Sequence, residues 1–166
     1  MVDPVISGML LFVKRVLIPL MLLAIPFATF AADEAKEILL PTKDAKMEGP
    51  DVRYDDGAEY KCIRSWKSTN VVLTWSFNVP AKAAYRIFVT YAAPNDANGS
   101  EAEIATGGQV ARFFLQPTGD WRKFVERDLG PILLRKPGPA ELTVRVTRKA
   151  GGSVWDFRSL RLVPEI

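Results

Sequence analysis

Histidine is absent from this 166-residue chain, and cysteine occurs once. Those gaps exclude a serine–histidine triad, a zinc site of the usual His/Cys kind and an intrachain disulfide. Any hydrolytic chemistry would have to rest on carboxylates, Lys or Tyr. Cys62, between Lys61 and Ile63, reads as a small buried hydrophobe and not as an activated thiol. An excess of charge of either sign is also lacking. The net charge of +3 falls to about +2 without residues 1–31, which is too weak a field to argue for nucleic acid. Beyond the N-terminal segment, no stretch of roughly twelve or more residues keeps a helical period. Nor is there an internal repeat, a low-complexity tract or a second domain.

What is present begins with an address. Lys14 and Arg15 precede an apolar run from Val16 to Phe27, and small residues follow, which is the order of a secretory signal. The run is shorter than the roughly 20 residues of a bilayer span and contains Pro19 and Pro26. Cleavage after Ala31 is the favoured reading, with retention as an anchor the alternative. The expected organisation is a signal at 1–31, a polar lead-in at 32–37 and one β-sandwich at 38–166. The mature chain is then secreted or periplasmic, with no membrane attachment after signal removal.

The remainder alternates with period two. Leu73, Trp75 and Phe77 share one face of "NVVLTWSFNVP"; Tyr85, Ile87, Val89 and Tyr91 share one in "AAYRIFVTYAAP"; Leu142, Val144 and Val146 share one in "AELTVRVTR". Between these runs lie turn clusters such as "PNDANGS", "TGG", "PTGD" and "KPGP". Short strands separated by regular turns predict an all-β antiparallel sandwich of jelly-roll type. Near the C-terminus the apolar positions switch parity: Trp155 and Phe157 are odd, Leu160 and Leu162 even. A β-bulge near Arg158 and Ser159 accounts for the switch, and bulges tend to lie beside sites.

The candidate binding residues are aromatic. Trp75 is core by its alternation. Trp66, flanked by Arg64, Ser65, Lys67 and Ser68, is a surface candidate, whereas Trp121, behind the "PTGD" turn, is either buried or held at a rim. A ring at a loop end suits a sugar, with hydroxyls bonded by polar neighbours such as Asp156, Asn95, Asn98, Asp120 or Arg122. Glu101 and Glu103 share a strand face and form the one pair of acids to weigh for glycoside hydrolysis, although the same pattern is common surface decoration. Arg145, Arg148, Lys149, Arg158 and Arg161 are a possible basic stripe, which would suit an anionic glycan.

The stretches "VRYDDG", "IRSWKSTNVVLTWSFNVP", "GSEAEIATGGQ", "PTGDWRKF" and "GGSVWDFRSLRLVP" together resemble carbohydrate-binding modules of families 6 and 35. They look most like the C-terminal module of secreted bacterial α-L-fucosidases and sulfatases. The resemblance implies a galactose-binding-domain-like sandwich without catalytic residues. It implies a glycan held in loops at one end between Trp66 and Trp121, with Asp156 bonding its hydroxyls, and an exported glycoside hydrolase or sulfatase as partner; Arg64, a departure from the family pattern, is expected to join Asp156 in fixing the orientation. It also brings up a structural calcium, for which Lys46 and Arg158 stand where acidic residues are expected, so no metal or other cofactor is expected. Asp156 replaces the usual asparagine. The competing reading is a docking sandwich with a degenerate sugar site, which would show an exposed apolar patch.

Overall fold

Alternation becomes eleven strands within residues 34–165, the part of the chain that the computed structural model describes. The signal assigned to residues 1–31 lies outside it. In order, the strands are β1 (Ile38–Pro41), β2 (Lys46–Glu48), β3 (Arg53–Asp55), β4 (Cys62–Arg64), β5 (Val72–Val79), β6 (Ala83–Ala92), β7 (Glu101–Thr106), β8 (Gln109–Phe114), β9 (Val125–Leu134), β10 (Gly138–Arg148) and β11 (Asp156–Pro164). Helical structure among the described residues is limited to two single 3-10 turns, Thr42–Asp44 and Asn95–Ala97.

Every strand pair is antiparallel. One sheet runs β3-β4-β11-β6-β9, with β1 also pairing β11, and the other runs β2-β5-β10-β7-β8. The in-facing sets read from the sequence meet between the two sheets. Leu73 and Trp75 of β5 and Leu142, Val144 and Val146 of β10 pack against Tyr85, Ile87, Val89 and Tyr91 of β6. Facing apolar sides of two sheets remove each other from water, which is what holds a sandwich together.

The parity switch in the last strand is a register shift between Phe157 and Ser159 opposite β6. Arg158 is the extra residue, as the apolar pattern requires. On its N-terminal side Trp155 is fully buried and touches four aromatic neighbours, Trp66, Tyr91, Phe113 and Phe157, at ring separations of 4.9 to 5.7 Å. This aromatic cluster plugs one end of the sandwich, and the loops above it form the candidate site.

Candidate functional site

Trp66 does not line that site. Its ring is 0% exposed and lies edge-on to Trp155 at 5.5 Å. The cause is local. Ser65 adopts a left-handed φ of 61°, a conformation uncommon for residues other than glycine, and the turn points the next side chain inward. The Trp66 carbonyl then accepts from the Val154 N–H at 2.9 Å and from the Ser153 hydroxyl at 3.2 Å, while its indole N–H donates to the Ser68 carbonyl. Of the polar neighbours that suggested exposure, Lys67 is exposed and Arg64, Ser65 and Ser68 are partly so, while the turn at Ser65 sends the tryptophan the other way. Of the two rings expected to flank a sugar, Trp66 therefore belongs to the core.

Arg64, Trp121 and Asp156 do come together, around a cavity of about 230 Å³ completed by Arg53, Ser65, Lys67 and Ser153. Three separate segments supply them: Arg64 ends β4, Asp156 opens β11, and Trp121 sits on the connection from β8 to β9. That connection is pinned. The buried Thr118 hydroxyl accepts from the Ala93 N–H at 3.0 Å, and the Thr118 N–H donates to the Ala93 carbonyl at 2.9 Å. Gly119 takes a φ of 91°, which only glycine adopts freely, and the Asp120 carboxylate accepts from the Arg122 N–H at 2.7 Å. Trp121 is left half-buried at the rim. Asp120 thus serves its own turn. Arg122 reaches Glu59 at 3.3 Å, and neither it nor Asn95 or Asn98 lines the cavity.

Asp156 forms the floor and is 3% exposed. Arg64 Nε lies 2.9 Å from its Oδ2, and Arg64 Nη1 donates to Asp55 Oδ2 at 3.2 Å while the guanidinium rests 3.9 Å over the Tyr60 ring. Oδ2 has no aligned hydrogen-bond donor, so the contact with Arg64 is one of charge. Burial pushes the Asp156 carboxyl above its ordinary range, and Arg64 only partly offsets this. A raised carboxylate pKa in the fold means that the charged form costs stability at neutral pH and that the cost disappears as pH falls below the unfolded-state value. Asp156→Asn is therefore expected to raise the melting temperature at pH 7, with the gain over the parent shrinking through the carboxylate range in a pH series.

Solved structures of similar shape settle the architecture. Superposition on a family 35 carbohydrate binding module from Clostridium thermocellum gives a TM-score of 0.63 over 79% of this chain and 100% of that one, at 16% identity. A Cellvibrio mixtus lichenase 5A module solved with cellotriose gives 0.60 over 78% and 98%, at 16% identity. The fold is that of a carbohydrate-binding module. A Podospora anserina GH26-CBM35 β-(1,4)-mannanase matches at a TM-score of 0.61 and 17% identity over 80% of this chain, which spans 28% of the mannanase's length. No family model matches the sequence, and no curated protein matches it.

Other features of this module-like fold bear on its chemistry. Glu103 is clamped by Arg112 and Arg145, each at 2.6 Å, and Glu101 pairs with Arg148 at 2.7 Å. Those arginines hold the Glu103 carboxyl below its usual range. A glycosidase acid needs the opposite shift to the one Glu103 has, and both glutamates are engaged in cross-strand ion pairs. The stabilisation from the Glu103 clamp is complete above the unfolded-state carboxylate range and is lost as pH falls through the folded value. Glu103→Gln is expected to destabilise the fold at pH 7 and to be nearly neutral in strong acid, read by urea melts at the two pH values.

The basic stripe does not form. Arg145 and Arg148 lie on β10 in one sheet, and Arg158 and Arg161 on β11 in the other. At the place of the implied calcium, Glu48 is paired with Lys46 at 2.6 Å. The Arg158 guanidinium takes the Tyr60 and Glu59 carbonyls at 3.1 and 2.9 Å and stacks on Phe124. Those residues do not fit a calcium ion. Burial raises the Cys62 thiol to about 12, which keeps it protonated and unreactive.

Proposed function

We propose that the chain is an exported, non-catalytic module that holds a glycan in the pocket at the end of the sandwich, with the Trp121 ring as its stacking wall. The observation that carries this is the convergence of Trp121, Arg64 and Asp156 from three distant segments on one cavity. Arg64, oriented by Asp55 and Asp156, presents donors that suit sugar hydroxyls or a carboxylate. With Arg53 and Lys67 also lining the cavity against a single buried Asp156, positive charge is in excess, which favours a sugar acid or sulfated sugar over a neutral one. Export follows from the Lys14–Phe27 signal pattern, and the natural beneficiary is an exported glycoside hydrolase or sulfatase acting on the same polymer.

The testing experiment is calorimetric titration of the chain with oligogalacturonides, sulfated oligosaccharides and neutral cello-oligosaccharides. Binding of an acidic class that weakens from about 0.05 to 0.5 M salt is expected, as screening of partly exposed charge requires. Binding confined to neutral sugars would remove the charge argument, and no binding to any class would remove the function. The burial of Trp66 favours a second reading, a docking sandwich whose sugar site has degenerated. It predicts the last of those outcomes.

A further inference from the structure

We propose that the open edge of β8 is a docking site for an extended segment of a partner polypeptide, one acidic residue between two apolar ones, added to the five-stranded sheet as a sixth strand. The two sheets end on the same flank, one in β8 and the other in β9, and their edges are finished differently. On β9, Pro131 has no N–H to offer. The Gly130 N–H is taken by Asp128 Oδ1 at 2.9 Å. Both backbone groups of Leu133 are occupied by the Gln109 side chain: its Oε1 accepts the N–H at 3.2 Å and its Nε2 donates to the carbonyl. The Gly130–Leu133 part of that edge is closed to pairing.

Among the described residues, the edge of β8 carries none of these devices. The two-residue Gly107–Gly108 turn pairs Thr106 with Gln109, and the Leu115 N–H bonds the Ser100 carbonyl at 2.8 Å. This parity turns the backbone groups of Gln109, Ala111 and Phe113 toward β7 and those of Val110, Arg112 and Phe114 away from it. The same three residues carry the exposed side chains. Val110 is 52% and Phe114 69% exposed, and Phe114 stands between cavities of about 310 and 330 Å³. An unpaired edge with apolar side chains is a template for strand addition.

Charge selects the occupant. Among the described residues, Glu103 alone answers both Arg112 and Arg145, leaving one positive charge uncompensated there, and across the gap Arg127 Nε is buried with no hydrogen-bond partner. A second copy fits badly, because the two-fold register that sets Val110 against Phe114 also sets Arg112 against Arg112, and like charges directly opposite repel. An incoming acidic residue opposite Arg112, with apolar neighbours opposite Val110 and Phe114, satisfies all three positions.

The test is an amide-shift titration of the ¹⁵N-labelled full chain with the peptide TVTETVT and with its lysine counterpart TVTKTVT. Val110→Pro removes an edge donor without breaking a bond to β7, and Phe114→Ser removes the apolar contact alone, so one serves if the other fails to fold. Saturable shifts of Val110, Arg112 and Phe114 are expected with the glutamate peptide, weakened about tenfold or more by the lysine peptide and by either variant. Three results would overturn the proposal: no saturable shift, equal affinity for both peptides, or a sedimenting dimer of the free chain that Val110→Pro dissociates. The sugar pocket is built from other residues, so its titration neither supports nor sinks this one.

Discussion

Trp66→Ala is expected to cost about 3–5 kcal/mol of folding stability and to lower the melting temperature by on the order of 10 to 20 °C. The indole is fully buried and edge-on to Trp155, which itself touches three further rings. Removing it opens a void at the base of the aromatic plug and frees the Ser68 carbonyl, which its N–H now satisfies. Trp66 does not line the cavity, so any ligand affinity should fall only because folded protein is lost. Chemical denaturation followed by near-ultraviolet circular dichroism measures it. A loss under about 1 kcal/mol would return Trp66 to the surface and restore a two-sided sugar platform.

Trp121→Ala should do the reverse. The ring is half-buried at the cavity rim, and its loop is held by Thr118, Gly119 and Asp120 rather than by the indole. The melting temperature should change by no more than a few degrees, while affinity for the proposed glycan drops by tens of fold, about 2 kcal/mol, the scale of a central aromatic anchor. Parallel calorimetry and thermal melts on the one variant separate the two quantities. Loss of stability with unchanged affinity would make Trp121 a core residue and leave the pocket without a stacking wall.

The strands with one solvated face were plain in the sequence because burial enforces period two: β5, β6 and β10 are each readable from three or four alternating apolar residues. The bulge at Arg158 was readable for the same reason, as a parity that could not otherwise be reconciled. Trp66 was not. Its burial depends on the left-handed turn at Ser65, and serine gives no composition cue for positive φ as glycine does. Arg53 and Ser153 of the pocket have no cue in the sequence, because the pairing of β3 with β4 sets Arg53 opposite Arg64 and that of β4 with β11 draws in the segment before Asp156 from far along the chain. No local spacing encodes that. The clamp on Glu103 was equally hidden, since Arg112 and Arg145 reach it only through the registers of β8 and β10 on β7.

The sealing of the tryptophans has an optical consequence. Trp66, Trp75 and Trp155 are at most 2% exposed, and Trp121 is the remaining one of the chain's four. Iodide or acrylamide in the solvent reaches that indole and not the other three, so the quenchable part of the fluorescence belongs to the pocket rim. A molecule seated against the ring would shield it, and the protein would signal occupancy of its own cavity without a label.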